Sequence, residues 1–535
     1  MRNKFVYPLL ALLAGAVQLN LLTAKAVVSM AEDFELTDAE EQTNRKEGAP
    51  RLIVLITVSG LETGLLELTL EESGQIELLK SALLYPQVRH PLISADAAVS
   101  AAILHTGVLG LENGVTARRP LHKLKNGTLD RSLSVFSSGK YSGIGTSERL
   151  APETLLSSTI SDAVKRASGG LGLVYSVATR PEEAIIGGGA DADGVFWTDE
   201  TRGERASSNY YPAKLPWYIS KLSAPRVKLS KGISWTPCHH SDFFEKYGKW
   251  TFRHEEIPFS HTLTRTESYL NTPLANEEVT ETALSLIENG GLGTDGNTDV
   301  LVLTYRLAVP EELSPAIPSP EIIDGYYRLE EEIRRLRKQL PKETVLIISG
   351  DGMAPAEARA DAENRTFHPD KCKALTNMYL DTRYGVKGLV KEITEEGQLY
   401  LDEERLKASK LDSEEVSRLV SDFLQEFAGV AYAFPEWELR RNLLTNDGNA
   451  KLLTAIHSVP AKDRGNVVFG LQANFAFGNG SEGSSTHPAT HFASITSPLL
   501  ILGPGITPGR IETPLDLRNV SKVICETLRI RPPSR

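Results

Sequence analysis

Cysteine is nearly absent. The 535-residue chain has three, Cys238, Cys372 and Cys525, far apart and odd in number. No C-x-x-C pair exists, which excludes a zinc knuckle and a thioredoxin-like motif and leaves room for one disulfide at most. Basic runs are missing as well. With 58 Lys and Arg against 69 Asp and Glu the formal net charge is -11, and an acidic chain without a basic block is a poor partner for nucleic acid or anionic lipid. There is no H-E-x-x-H, no G-x-S-x-G and no Walker loop, so three common catalytic motifs are excluded. Beyond the N-terminus no apolar run is long enough to span a bilayer, and an integral membrane protein is not expected.

What is present begins with an export signature. Arg2 and Lys4 precede an apolar run from Phe5 to Val17, and Ala24-Lys25-Ala26 fits an A-x-A cleavage site. Residues 1–26 therefore read as a signal peptide and 27–50 as a polar, flexible leader, which places the protein in the periplasm or outside the cell. The remainder has ordinary globular composition, 41% hydrophobic and 24% charged.

The pattern along the chain predicts an α/β fold. Leu52 to Val58 is an unbroken apolar run of the kind buried in a parallel sheet, and it ends at Ser59-Gly60. Ligands in open α/β sheets sit beyond the carboxyl ends of strands, so Ser59 is a candidate site position. A small-residue helix is expected within Ser94–Val115. Further strands are expected at Gly170–Val177, Thr298–Tyr305, Val345–Ile348 and Pro498–Leu502. Ile322, Leu329, Ile333, Leu336 and Leu340 form one apolar helix face, stopped by Pro341. This order predicts a mostly parallel central sheet with helices on both faces. Residues 51–364 form the core, 365–480 read as an inserted α+β subdomain, and 481–535 return to the core. Within the insertion, Glu392–Phe427 reads as charged helix, with short strands at Gly429–Ala433 and Asn466–Leu471. Asp516–Leu528 reads as a final amphipathic helix.

Several segments carry a resemblance over roughly residues 50–535. They are Leu215-Pro216-Trp217 leading to Trp235-Thr236-Pro237, Thr272-Pro273-Leu274-Ala275-Asn276, Gly291-Leu292-Gly293-Thr294-Asp295 before a strand, and Pro498-Leu499-Leu500 followed by Gly503-Pro504-Gly505-Ile506. In this order they resemble the secreted bacterial alkaline phosphatases of the type I phosphodiesterase/nucleotide pyrophosphatase branch of the alkaline phosphatase superfamily. The resemblance implies two zinc-like ions clamping the attacking and leaving oxygens, a Thr or Ser nucleophile between them, and Lys, Arg and Asn on the phosphate.

Position by position, most of that machinery is replaced. The first-strand Asp ligand falls on Ser59. The nucleophile position, ten residues before Gly107, is Ala97. The phosphate-binding Asn falls on Arg118, and the Lys-x-Arg pair on Ala178-Thr179-Arg180, which keeps only Arg180. The Asp-x-x-x-His ligand pair falls on Val309 and Leu313, and Asp-His-Gly on Gly350-Asp351-Gly352. Thr-His-Gly falls on Thr486-His487-Pro488, and a second late histidine on Thr496. Asp351 and His487 are thus the candidate metal ligands that remain, and Arg118 and Arg180 the candidate substrate-binding residues. Two scattered ligands do not make a tight zinc site.

Other polar clusters have plainer readings. Asp295, Asn297 and Asp299 lack the glycine and the closing glutamate of a calcium loop, where Arg306 stands instead, and read as a polar turn. Cys238-His239-His240 reads as a solvated loop, and His105 as a packing residue. The sequence therefore describes an exported pseudoenzyme with a binding or structural role, no cofactor, and an envelope or extracellular ligand or protein as partner. The alternative is a metal-dependent phosphomonoesterase or phosphodiesterase with a remodelled zinc site, in which Asp351, His487, Asp96 and Ser94 or Ser100 converge.

Overall fold

The computed structural model describes residues 49–534 apart from 93–95, 125–127, 212–213, 239–250, 253–254, 257–258, 308–319, 353–364, 395–396, 444–448, 461, 473–474, 479–484 and 487–495. The expected signal peptide and most of the expected leader lie outside the described residues. So do Ser94, His239, His240, Val309, Leu313, His487 and His491.

Within the unit Pro50–Arg535 the strands are β1 (Leu52–Ser59), β2 (Leu83–Arg89), β3 (Val174–Ala178), β4 (Gly194–Thr198), β5 (Arg205–Ser208), β6 (Asp299–Arg306), β7 (Thr344–Gly350), β8 (Val390–Ile393), β9 (Gln398–Leu401), β10 (Val430–Pro435), β11 (Val467–Leu471) and β12 (Ser497–Leu502), besides short two- to four-residue pieces. Eleven strands among the described residues make one sheet, in the order Gly509–Arg510, β2, β12, β7, β1, β6, β3, β4, β5, Gly143–Ile144, with Leu515–Asp516 also paired to β2. The centre is parallel: β7, β1, β6, β3 and β4 all run one way. Strand β12 runs against both β7 and β2.

Side chains alternate across this sheet, and two cores result. The helices are α1 (Thr63–Glu72), α2 (Ala97–Thr106), α3 (Ile160–Ala167), α4 (Pro181–Gly188), α5 (Asn276–Asn289), α6 (Pro320–Arg337), α7 (Pro369–Tyr384), α8 (Ser413–Gln425) and α9 (Val520–Thr527), besides shorter turns of helix. Ile53 and Leu55 of β1 pack with Val300, Val302, Val345 and Ile347 against α2, α3, α4 and α9. Leu52, Val54, Ile56 and Val58 pack with Leu301, Leu303, Leu346 and Ile348 against α5 and α6. Helices on both faces of a mostly parallel sheet are what the strand–helix order predicted.

Strands β8, β9, β11 and β10 form a separate antiparallel sheet. Its own core joins Leu399, Leu401, Val467 and Phe469 to Cys372 and Leu380 of α7 and to Val416, Val420 and Leu424 of α8. One expectation is corrected here. Glu392–Phe427 is not continuous helix, because it opens on the β8–β9 hairpin. Gln398-Leu399-Tyr400-Leu401 is wholly buried and pairs with β8 and β11. Gly397 makes the approach at φ 72°, where a Cβ would meet the Phe469 carbonyl. The charge pattern there belongs to exposed faces and does not mark helix.

The segments that carried the resemblance have framework duties. Trp235 Nε1 donates to Asp324 at 2.7 Å. The Asp299 carboxylate accepts from the backbone N–H of Gly293 and Leu173, both at 2.7 Å, which makes the Asp295–Asp299 stretch a polar turn at the mouth of β6. All three cysteines are free. No helix among the described residues is long and apolar enough to cross a membrane.

Candidate anion site at the carboxyl edge of the sheet

Strands β1, β3, β6 and β7 end at one edge, and each delivers a residue of interest. Strand β1 stops at Ser59, and Gly60 turns the chain at φ 83°, a left-handed value that suits glycine. Its N–H donates to Asp351 Oδ1 at 3.2 Å, so the buried Asp351 ties the end of β7 to that of β1. Gly350 offers no space for a ligand. A Cβ there would lie 2.5 Å from the Ser497 Cβ and 2.9 Å from the Leu61 carbonyl oxygen.

Helix α2 points its N-terminus at the same edge. Asp96 caps it: Oδ1 accepts from Val99 N–H at 2.8 Å, and Oδ2 accepts from Arg118 N–H at 2.5 Å. One carboxylate thereby starts the helix and fixes the Arg118 backbone. Burial pushes its pKa up. Ala97 is the first helical residue. One turn further on, the fully buried Ser100 has its Oγ 3.1 Å from His90 Nε2. Asp96 caps α2, Ser100 pairs with His90, and Asp351 accepts from the Gly60 N–H. His105 Nε2 lies 3.3 Å from Thr57 Oγ1 beneath the sheet. Burial pushes its pKa down to about 4, in keeping with a packing residue.

The cationic side is built from three elements. Arg180 follows β3 and precedes α4, whose first residue is Pro181, and its guanidinium donates to Asn271. Arg306 ends β6 beside Ser59 in register, with its guanidinium 3.7 Å from Glu183 Oε1. Asn276 brackets the Arg306 backbone, accepting from its N–H at 2.9 Å and donating to its carbonyl at 2.8 Å. Burial, and then the charges of Arg306 and Arg118, push the Arg180 pKa down to about 9. Burial disfavours the Arg118 charge too, but Glu182, Glu183, Glu200 and Asp96 outweigh it and hold Arg118 above the usual guanidinium value.

Two carboxyls in the first turn of α4 underlie the arginines. Glu182 is fully buried and accepts from Ser134 Oγ at 2.7 Å. Burial, and next the charge of Glu183, push its pKa up to about 7. One oxygen of each glutamate, Oε2, has no hydrogen-bond partner among the described residues. Arg118, Arg180 and Arg306 are partly buried, and Glu182 and Glu183 are buried. Guanidiniums grouped by charge coupling around buried acids are the kind of donor suited to an oxyanion.

Sequence reasoning named Arg118 and Arg180 as candidates and considered Arg306 only as a failed calcium ligand. The missed signal was positional: Arg306 ends its strand as Ser59 ends β1. Glu182 and Glu183 were detectable as acids just inside a Pro-started helix.

The pair of zinc ions implied by the family resemblance does not fit the described residues. No group of three or more His, Cys, Asp or Glu converges among them. Ser59, Ala97 and the sterically closed Gly350 are the residues to which the resemblance assigns ligand and nucleophile positions.

No protein-family model matches the chain. Two curated relatives align over about three-quarters of it. A Myroides odoratus protein named calcium-transporting ATPase is 23% identical over 419 residues, 73% of this chain and 75% of its own length. The alkaline phosphatase PafA of Elizabethkingia meningoseptica is 22% identical over 415 residues, 72% and 73%. The solved structure of wild-type alkaline phosphatase PafA superposes with TM-score 0.73 at 20% identity, over 91% of this chain and 97% of that one. The chain has the fold of that alkaline phosphatase. Within that fold Ala97 is the first residue of α2, and Arg118 bonds through its N–H to the capping Asp96.

Proposed function

We propose that this chain is a non-catalytic superfamily member that binds an oxyanion of the phosphate or phosphate-ester class. Three guanidiniums from separate elements, Arg118, Arg180 and Arg306, backed by buried glutamates beside Ala97, carry this reading. Arginine favours such anions because its planar N–H fork matches two oxygens at once. Hydrolysis on the superfamily plan would need a nucleophile at the α2 start, and alanine has none. Loss of a nucleophile alone costs several powers of ten in rate. The signal-like N-terminus supports export to the periplasm or beyond, where an envelope polymer or sugar phosphate is a suitable ligand class.

One observation favours a second reading, a phosphoester hydrolase with a remodelled site. The Ser100–His90 pair lies one helical turn beyond Ala97. Its burial disfavours attack on an external ester.

The deciding experiment uses the mature protein purified without metal-binding tags. Phosphate is expected to bind in calorimetric titration, with at least tenfold weaker binding in Arg180→Ala. An activated phosphate ester is expected to stay intact with or without added zinc. Stoichiometric zinc together with turnover that vanishes in Ser100→Ala would establish the second reading instead.

A further inference from the structure

We propose that Glu182 is a proton-operated gate on the arginine-lined site: with Glu182 protonated the site takes an oxyanion tightly, and with Glu182 ionised it holds the anion weakly. This rests on the anion-binding reading above. The geometry that carries it is a pair of adjacent buried carboxyls in the first turn of α4. Glu182 bonds through one oxygen to a neutral hydroxyl, Ser134, while its second oxygen lacks a partner. Among the described residues no cation bonds to it directly, and the charge of Arg118 favours its ionised form. Arg118 in turn is held by Glu182 and Glu183.

The groups facing this corner come from every element packed there. Arg118 and Asp96 lie at the α2 start and the turn behind it, and Arg306 ends β6. Glu200 follows β4, and Arg180 and Glu183 belong to the α4 start itself. Helix α3 meets the other end of α4, where Asp162 lies against Gly189. Burial, and next the charge of Glu183, push the Glu182 pKa up to about 7. When it takes a proton from solvent, Arg118 loses a counter-charge and the local potential turns more positive. A bound anion acts reciprocally and favours the protonated carboxyl, so anion binding near pH 7 takes up protons. Glu182 is a positioning residue here, acting through Arg118.

Sulfate is the probe, because its charge is constant from pH 5.5 to 8.5 whereas that of phosphate is not. On the full mature chain, affinity measured by calorimetry is expected to fall at least ~5-fold from pH 6 to pH 8.5. At pH 7 the binding enthalpy should vary with the ionisation enthalpy of the buffer, which reports proton uptake. Glu182→Gln keeps the Ser134 contact; it should bind at the acid-level affinity throughout, with no proton uptake. If Glu182→Gln does not fold, wild-type proton uptake alone decides: its absence overturns the gate. Binding that is lost in Arg180→Ala, yet keeps the same pH slope in Glu182→Gln, overturns the gate and leaves the anion reading intact. Sulfate that fails to bind at any pH, or binds equally to Arg180→Ala, overturns both.

Discussion

Asn276 holds the backbone of Arg306 from both sides, and its removal tests whether the site is positioned by the framework. Asn276 is fully buried at the start of α5. Asn276→Ala deletes an acceptor for the Arg306 N–H and a donor for its carbonyl. A buried peptide group left without a partner costs ~1–3 kcal/mol. Two such groups, partly relieved by water entering from the site, give a loss of about 2–4 kcal/mol. The same change lets the end of β6 shift, so sulfate binding should weaken by about tenfold, the equivalent of ~1.4 kcal/mol. Asn276→Asp keeps the acceptor and loses the donor, and it should be destabilised as well. Guanidinium unfolding followed by far-UV circular dichroism and by tryptophan fluorescence reads the first effect, and calorimetric titration with sulfate reads the second. An Asn276→Ala protein within ~0.5 kcal/mol of wild type, the size of an ordinary surface substitution, with unchanged sulfate affinity, would refute the reasoning.

Three further outcomes follow from the same geometry. Glu278→Ala should cost ~3–5 kcal/mol in denaturant unfolding, because the buried Arg205 donates to it at 2.6 Å and Tyr269 Oη donates at 2.8 Å; a loss under about 1 kcal/mol would show that Arg205 finds another partner. Gly350→Asp puts back a carboxylate of the superfamily plan but drives it into Ser497 and the Leu61 carbonyl, so ~1–3 kcal/mol of destabilisation is expected without gain of zinc, and a stable variant with stoichiometric zinc in elemental analysis would contradict this. Burial holds His105 and His457 near a pKa of about 4 against an ordinary 6.5; the unfolded chain takes up protons that the native state refuses, so stability should fall as pH drops from 6.5 towards 4. Melting temperatures in that window should decline less for His105→Gln than for wild type, and an equal decline would count against His105 as a source.

How much of this was visible in the sequence depends on the range of the contact. The unbroken runs Leu52–Val58 and Val345–Ile348 could only be strands buried on both faces, and the apolar stripe from Ile322 to Leu336 could only be one side of a helix. The β8–β9 hairpin was hidden because Lys391, Glu392, Glu403 and Glu404 around it mimic helical charge spacing, while the decisive contacts, with Val467 and Val468, come from far along the chain. Arg118 and Arg180 could be named as candidates because fixed spacing links them to neighbouring motifs. Arg306 was not, since its role depends on β6 lying beside β1, and no local pattern encodes that register. Ser134 as the partner of Glu182 is likewise a purely tertiary fact.

The placement of β12 bears on how the chain can be assembled. During synthesis β7 is complete at Gly350, yet the strand that pairs with its outer side, Ser497–Leu502, emerges only after the whole of the second sheet has been made. Until then β7 presents bare peptide groups, and β2, made long before, lacks its neighbour β12. Such an open margin is a template for wrong pairing between nascent chains. The second sheet, with a core of its own, can consolidate while that margin waits. Closure by a strand made so long after its neighbours makes a chain cut short before Ser497 a sticky species, and it couples the quality of the main sheet to the arrival of Ser497–Leu502.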